Sequence, residues 1–346
     1  MIQIPKNIEF EKCINHIPNG RQLLKSFQIK YQPNLNSITE NTITYFLPNI
    51  KPQNYIAAFD LDWTLTAQEN KLHSYSASPH DITILPQRLE VLNTLFKSGY
   101  TLVVFTNQYA TKKNIQSKID RITTFLLKLK LPCYVFISTG KDEYRKPKIG
   151  MWNKLNQILP NIKYALYVGD AAGRKQDFSD SDIQFAKNAQ IDFFTPEEFF
   201  PCDKIQINHI NKTMIVLVGV MGSGKSHISQ QFSNLGYKVV SRDNLGGNKT
   251  KYLNYVKKTA NNFRNVVADS TNGKLEDRKI LYEIAQTNSM NIITIYILRD
   301  GYGWNKLRQK PVPDIAYHTY YKHFDKPTLS NTPAELIIVN NICDIN

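Results

Sequence analysis

Residues 214–226 read MIVLVGVMGSGKS, a short apolar run followed by a glycine-rich turn. The apolar run predicts a buried β-strand, and residues 227–235 predict a helix after the turn. The turn matches the pattern G-x-x-x-x-G-K-S, in which glycines let successive backbone N–H groups point at phosphate oxygens. The stretch therefore predicts an α/β domain that binds a nucleoside triphosphate.

The side chains that end this motif have separate predicted roles. Lys225 would reach the β- and γ-phosphates of ATP, and Ser226 would be a ligand of Mg²⁺. The start of the following helix adds partial positive charge for the same phosphates. The residues predicted to bind ATP are Gly219, Gly222, Ser223, Gly224, Lys225 and Ser226.

Further polar groups follow the motif along the chain. Asp243 comes after a predicted strand at 237–240, where its carboxylate can accept a proton from an attacking hydroxyl; a turn or helix cap is its alternative role. Asp269 ends another strand and either orders Mg²⁺ through water or only forms a turn. Lys306 and Arg308 fit a lid that neutralises a transferring phosphoryl group, or a solvated basic face.

A second series of strands and helices precedes this one, in residues 51–200. Apolar runs at 55–59, 100–105 and 165–168 predict buried strands, each followed by polar residues. Such alternation predicts a parallel, doubly wound sheet whose site lies at the carboxyl ends of the strands. The predicted fold class is α/β, with two domains that each contain a mainly parallel sheet flanked by helices.

Two aspartates follow the first of these strands, in the sequence FDLDWT. Asp60 can attack phosphorus and form an aspartyl-phosphate. Asp62, kept partly protonated by its charged neighbour, can donate a proton to the leaving oxygen. Two carboxylates that act on an anionic phosphate require a metal ion and a cation nearby. The prediction therefore depends on whether the ends of the other strands supply residues that bind a metal ion and carry positive charge.

Polar residues at neighbouring strand ends complete the predicted site. Asp170 is a candidate Mg²⁺ ligand together with the two aspartates of FDLDWT. Thr106 and Asn107 can hold phosphate oxygens, and Lys146 can neutralise the phosphoryl group. Each residue also has a structural alternative, as a turn residue, a surface cation or a strand-end cap.

The composition places the chain among globular proteins that contact polyanions or carry a solubilising surface. It has 346 residues, a formal net charge of +14 and 42% hydrophobic residues, which allows two domains. No run of about 18 apolar residues occurs, so a membrane span is excluded. The four cysteines show no metal-binding spacing, so they predict reduced thiols of an intracellular protein, in the nucleus or cytoplasm. They are Cys13, Cys133, Cys202 and Cys343.

Changes in composition predict four parts along the chain. Residues 1–50 form an N-terminal segment packed on or preceding the first domain, which covers residues 51–200. Residues 201–212 form a linker, and residues 213–346 form the second domain.

Taken in order, the motifs resemble those of the polynucleotide kinase 3′-phosphatase family. The phosphatase part is similar at FDLDWTLT, VVFTNQ, YRKPKIGMW, VGDAAGR, KQDFSDSD and TPEEFF, and the kinase part at GVMGSGKS, SRDNLG, ADSTNG and YYKHFDKPTL. The match spans residues 50–330. The resemblance implies a haloacid dehalogenase-like phosphatase domain followed by a P-loop kinase domain.

The resemblance further implies a bifunctional enzyme that heals nucleic acid ends. It would remove a 3′-phosphate and transfer the γ-phosphate of ATP to a 5′-hydroxyl, with Asp60 as nucleophile and Asp62 as general acid–base. The other roles implied by matching motifs are phosphate binding by Thr106 and Lys146, Mg²⁺ binding by Asp170, an outer-shell acid at Asp177, ATP and Mg²⁺ binding by Lys225 and Ser226, proton acceptance by Asp243, and a lid arginine at Arg308.

Three features depart from the family. Trp63 stands where the family usually has Gly, which predicts a narrower phosphatase mouth or stacking on the terminal nucleotide. Residues 269–273 read DSTNG, where the family has D-N-T-N-P. Residues 1–50 are too short for the forkhead-associated domain of the animal enzymes, so docking to phosphorylated scaffolds by that route is not expected.

Three functional hypotheses follow. The first is healing of DNA strand ends in repair, favoured because related RNA repair enzymes place the kinase before the phosphatase. The second is the same pair of activities on RNA ends. The third is a nucleic-acid-binding kinase whose phosphatase domain is inactive, with Trp63 as the lesion. None of them involves a membrane.

Overall fold

The computed structural model describes residues 31–67, 79–203, 205, 207, 212–333 and 335–340. Within this part the chain forms two compact units, which divide between Pro201 and Cys202. Each unit contains a sheet of mainly parallel strands with helices between them along the chain. The predicted α/β fold class is confirmed. Parts of the predicted N-terminal segment and linker, at 1–30, 204, 206 and 208–211, lie outside the described residues.

The first unit is built on a seven-stranded sheet. Its strands and the adjoining two-stranded sheet are β1 (Ser37–Glu40), β2 (Ile43–Phe46), β3 (Tyr55–Phe59), β4 (Thr66–Ala67), β5 (Thr83–Ile84), β6 (Tyr100–Asn107), β7 (Cys133–Ser138), β8 (Tyr164–Val168) and β9 (Asp192–Phe194). Its described helices are α1 (Arg88–Lys97), α2 (Ile115–Leu129), α3 (Gly150–Ile158), α4 (Ser181–Ala189) and α5 (Pro196–Phe199). The strand order is β1-β2-β7-β6-β3-β8-β9, with β4 and β5 paired separately.

Strand β3 occupies the interior of this sheet, parallel to both β6 and β8. Ala57 and Phe59 pack into one apolar cluster, whereas Ile56 and Ala58 pack into another. Successive side chains of a strand point to opposite faces, so this division means that helices cover both faces of the sheet. The carboxyl ends of β3, β6 and β8 therefore meet at one edge, as the sequence predicted.

The far edge of the sheet was not predicted. Strands β1 and β2 pair with each other and β2 pairs with β7, in both cases antiparallel. The four residues of β2, ITYF, are all buried, so residues 37–46 belong to the sheet itself. The weak apolar periodicity of residues 31–50 hid these short strands, because a four-residue strand gives little pattern to recognise.

The second unit contains a five-stranded sheet in which every pairing is parallel. The strands are β10 (Thr213–Val218), β11 (Lys238–Ser241), β12 (Asn265–Asp269), β13 (Asn291–Ile297) and β14 (Glu335–Val339), and the helices are α6 (Lys225–Asn234), α7 (Lys249–Asn262), α8 (Leu275–Thr287), α9 (Tyr302–Lys306) and α10 (Asp314–Lys322). The order β11-β12-β10-β13-β14 places β10 at the centre. The loop after β10 therefore opens between neighbouring strand ends.

Two further expectations can be compared with the structure. Cys133 is a free, buried thiol, as predicted, but Cys202 is disulfide-bonded, so the prediction of a reduced thiol is wrong there. Cys13 and Cys343 lie outside the described residues. Across the described ranges, the structure contains no helix with the length and apolar character needed to cross a bilayer.

Candidate active sites

Lys146 is the centre of a buried ionic network in the first unit. Its ammonium group donates hydrogen bonds to Asp60 Oδ1 at 2.5 Å, to the hydroxyl of Tyr167 at 2.7 Å and to Asp182 Oδ1 at 2.8 Å. Tyr167 in turn donates to the same oxygen of Asp182. A buried cation is stable here because it faces two carboxylates, and they raise the pKa of Lys146 although burial alone would lower it.

Asp60 lies at the end of β3, where its N–H donates to Val168 O of β8 at 2.8 Å. Its carboxylate lies near those of Asp170 and Asp182, and one oxygen from each residue falls within 4.8 Å of the others. Burial raises the pKa of Asp60 to about 7, even though Lys146 opposes the shift. Burial and the charge of Asp60 also raise the pKa of Asp170.

These carboxylates form a donor set suited to Mg²⁺. Magnesium prefers oxygen ligands, and a divalent cation would offset the mutual repulsion that adds to burial in raising the pKa values of Asp60 and Asp170. Of the predicted ligands, Asp60 and Asp170 come together, whereas Asp62 is not a member of this cluster. The third member is Asp182, which sequence analysis did not single out. An acid in the first turn of a helix, shortly after Asp170, was the available signal.

Asp62 has different partners from the ones expected. Arg121 of α2 donates to both of its carboxylate oxygens, and Gln108 Nε2 donates to Oδ2 at 2.7 Å. Burial raises the pKa of Asp62, but Arg121 and Gln108 outweigh it and hold the pKa below its usual value. The expectation that a charged neighbour keeps Asp62 partly protonated is therefore not what the structure shows.

The remaining predicted residues of this site have mixed placements. Thr106 is buried, and its hydroxyl accepts a hydrogen bond from Gln108. The amide of Asn107 exchanges two hydrogen bonds with the backbone of Lys146, so it positions the lysine instead of facing phosphate. Asp177 pairs with Arg174 and thereby closes the loop after β8.

The phosphate-binding motif of the second unit adopts the predicted strand, loop and helix. Gly222 and Gly224 have φ angles of 80° and 107°, which glycine adopts without strain. Ser223 is buried beneath Gly219, where a Cβ atom would lie 2.6 Å from its hydroxyl. Lys225 Nζ donates to the carbonyls of Gly219 and Val220 at 2.9 and 2.7 Å, and burial lowers its pKa to about 8.

A second glycine packs against the back of this loop. A Cβ atom on Gly301 would lie 2.1 Å from Met221 O, and one on Gly222 would lie 2.1 Å from Gly301 O. The buried hydroxyl of Tyr317, on α10, is 2.8 Å from Met221 O and 3.2 Å from Gly301 O. The loop is therefore held against the segment that leads into α9.

The candidate base and lid residues of this unit are exposed. Asp243 begins a single 3₁₀ turn, Asp243–Leu245, and its side chain is 80% exposed. Arg308 Nη2 lies 3.8 Å from Asp243 Oδ2. Lys306 instead lies over the ring of Tyr302, at 4.4 Å from its centre. Asp269 is buried behind the loop, where it accepts a hydrogen bond from Ser229 at 3.2 Å.

Known proteins resemble both units. Residues 55–200 match the family model described as polynucleotide kinase 3 phosphatase. A bifunctional polynucleotide phosphatase/kinase of Schizosaccharomyces pombe is 30% identical over 338 residues, which cover 85% of this chain and 81% of the relative. The polynucleotide 3′-phosphatase ZDP of Arabidopsis thaliana is 39% identical over 167 residues, which cover 42% of this chain and 24% of that protein.

Among solved structures, a fungal RNA kinase covers 37% of this chain and 38% of its own, at 14% identity and a TM-score of 0.32. The match to the S. pombe protein covers 85% of this chain, which is more than either unit contains alone. The chain therefore belongs to the family of bifunctional polynucleotide phosphatase/kinases.

Proposed function

We propose that this chain removes the 3′-phosphate and phosphorylates the 5′-hydroxyl of broken DNA strands, and so heals both ends for repair. The first unit, residues 51–200, would be the phosphatase and residues 213–346 the kinase. The single observation that carries the proposal is the presence of two phosphate-handling sites in one chain. One is the Lys146 network with its three carboxylates, and the other is the glycine-rich loop with Lys225.

In the phosphatase reaction, the carboxylate oxygen Oδ2 of Asp60 attacks phosphorus while Lys146 donates a hydrogen bond to the other oxygen, Oδ1. The P–O bond to the 3′-oxygen breaks, and this oxygen takes up a proton from solvent, which Asp62 passes on. Water then hydrolyses the aspartyl-phosphate and returns a proton to Asp62. Arg121 holds the pKa of Asp62 below its usual value, so the resting carboxylate is ionised and can accept the proton of the attacking water. Mg²⁺ held by Asp60, Asp170 and Asp182 would neutralise charge on the phosphoryl oxygens.

In the kinase reaction, Lys225 would exchange its two backbone carbonyl partners for the β- and γ-phosphates of ATP. Asp243 accepts the proton of the 5′-hydroxyl as that oxygen attacks the γ-phosphorus, and ADP leaves. Arg308, already close to Asp243, would neutralise charge on the transferring group. Ser226, at the start of α6, would bind the Mg²⁺ that accompanies ATP.

DNA is the proposed substrate on two grounds. The net charge of +14 favours a polyanion, and the phosphatase-before-kinase order resembles that of DNA repair members of the family. RNA ends are the alternative, and the two substrates differ in the 2′-hydroxyl next to the reacting 3′-phosphate.

One assay tests the whole proposal. The protein is incubated with ATP, Mg²⁺ and a nicked DNA duplex that carries a 3′-phosphate and a 5′-hydroxyl at the nick, and both termini are followed together. We expect loss of the 3′-phosphate and gain of a 5′-phosphate, both abolished by EDTA. A matched RNA nick should react more slowly. An equal or higher rate on RNA would contradict the choice of DNA, and an unchanged 3′-phosphate would support the inactive-phosphatase hypothesis.

A further inference from the structure

Trp63 has an unusual backbone conformation beside the phosphatase nucleophile. Its φ angle is 61°, in the left-handed region that bulky side chains rarely adopt. The turn around it is held by hydrogen bonds from Trp63 N to Thr66 O at 2.7 Å and from the amides of Leu65 and Thr66 to Leu61 O. The strained conformation is therefore imposed by the loop that carries Asp62, at a cost of about 1–3 kcal/mol.

Trp63 is not a fully buried core residue. Trp152 is only 8% exposed and packs edge-on against Phe105, as a core tryptophan does. Trp63 is partly exposed, and its ring has no stacked aromatic or cationic partner among the described residues. Glycine would relieve the strain, because it adopts positive φ angles freely, and would lose no such contact. The observed residue is thus explained better by a ligand than by the stability of the loop.

The position of Trp63 points to the part of the substrate that it would meet. It directly follows Asp62, whose carboxylate accepts a hydrogen bond from Gln108 at 2.7 Å. The residue after Gln108 is Tyr109, which is 51% exposed and has Lys141 Nζ at 5.3 Å from its ring centre. Exposed rings and a cation at the mouth of a phosphate site suit a nucleotide chain, because rings stack on bases and cations attract phosphodiesters.

We propose that Trp63 is a specificity-determining residue that stacks on the base of the 3′-terminal nucleotide. This inference rests on the proposed phosphatase function and deepens it. A strand whose 3′-phosphorylated terminal nucleotide carries a base would bind well, whereas a strand that ends in an abasic sugar phosphate would bind less well. The strain at Trp63 would then be retained because the loop holds the ring in place beside the nucleophile before the substrate arrives.

The test uses two 3′-phosphorylated DNA oligonucleotides that differ only in the last nucleotide, which carries a base in one and is an abasic tetrahydrofuran in the other. Stacking on one base is worth about 1–3 kcal/mol, which corresponds to about 5- to 150-fold in binding. We expect Trp63→Leu and Trp63→Gly to raise KM at least about 5-fold on the base-bearing end, with kcat and the abasic KM nearly unchanged. Trp63→Phe, which keeps a ring, should stay close to the wild type.

Two controls separate this effect from damage to the fold. Trp63→Gly removes the strain, so a loss of base preference in that variant cannot come from a destabilised loop. Trp304→Leu removes a half-exposed tryptophan of the other unit and should leave phosphatase KM unchanged on both ends.

The outcomes are distinguishable. Equal changes on the two ends, or an unchanged KM in Trp63→Gly, would overturn the role of Trp63 and leave the phosphatase assignment standing. A wild-type protein that releases phosphate from neither end would overturn the proposed phosphatase function, and this inference with it.

Discussion

The two candidate active sites differ in how completely their charged groups are paired. In the first unit the side chains of Lys146 and Asp182 are each 2% exposed, and the side chain of Asp60 is 11% exposed. In the second unit the side chains of Asp243 and Arg308 are 80% and 40% exposed and lie 3.8 Å apart. The charged groups of the candidate phosphatase site are therefore paired before any substrate binds, whereas those of the candidate kinase site are still largely open to solvent.

The origin of each group explains this difference. Asp60 and Lys146 lie close together because the end of β3 and the loop before α3 meet at one edge of the sheet. The side chain of Asn107 also holds the backbone of Lys146 through two hydrogen bonds. Asp243 belongs to a single 3₁₀ turn, and Arg308 follows the short helix α9. Few buried contacts fix either of them, which is typical of segments that move on binding.

The largest effect is expected when the proposed nucleophile of the first unit, Asp60, is replaced. In Asp60→Asn no carboxylate oxygen is left to form the phosphoenzyme, so 3′-phosphate release should fall by more than about 1,000-fold. The 5′-kinase rate of the same protein sample, followed by transfer of labelled phosphate from ATP, should stay within about 2-fold of wild type. Loss of both activities in a folded variant would show that the sites are not separate.

The reciprocal change addresses the other unit. Lys225→Ala removes the charge that would contact the β- and γ-phosphates, and we expect the 5′-kinase rate to fall by about 100- to 1,000-fold. Release of 3′-phosphate, measured on the same nicked duplex without ATP, should be unaffected. Retained kinase activity would contradict the assignment of the glycine-rich loop as the nucleotide site.

The two sites should also differ in how much their charged groups contribute to the free energy of unfolding. Lys146→Met leaves Asp60 and Asp182 buried without their cation, which should lower the free energy of opening of the first unit by about 3 kcal/mol. Arg308→Met breaks only an exposed contact and should change stability by less than about 0.5 kcal/mol. Hydrogen exchange of the β3 and β10 amides, measured in the full chain without added metal, reports each unit separately. Similar effects for both variants would remove the distinction between the sites.

The smallest expected effect concerns the support behind the nucleotide loop. Tyr317→Phe removes the hydroxyl that lies 2.8 Å from Met221 O and leaves a buried carbonyl without this partner. A loss of about 1 kcal/mol corresponds to a rise of about 5-fold in KM for ATP. Tyr282→Phe is the matched control, because its buried hydroxyl instead faces Thr294 at 3.0 Å. A similar rise in both variants would indicate a general loss of packing.

Sequence patterns predicted the strand-end groups better than their partners. Asp60, Asp170 and the glycine-rich loop were identifiable because each directly follows an apolar strand, and strand ends converge by topology. Arg121 and Gln108 were missed, since their contact with Asp62 joins residues up to 59 positions apart. One signal for Arg121 existed: it lies on the buried face of the amphipathic helix α2, where a cation needs an anionic partner.

Strands β1 and β2 could not be predicted for a different reason. Strand β2 pairs with β7, which is distant along the chain, and β1 joins the sheet only through β2, so local preference carries little information about them. The charge state of Asp62 was missed in the same way, because it depends on Arg121 more than on the neighbouring aspartate that the sequence displays.

Gly301 has a consequence for how freely this chain can vary. Its φ angle of −93° is one that any amino acid adopts, so its own backbone gives no reason for glycine. The restriction comes from Met221, whose carbonyl would lie 2.1 Å from a methyl group at position 301. During evolution or library selection, even alanine at this position would push against the backbone of the glycine-rich loop and displace it. A survey of backbone torsions alone would miss the constraint, so designers should exempt position 301 from randomisation.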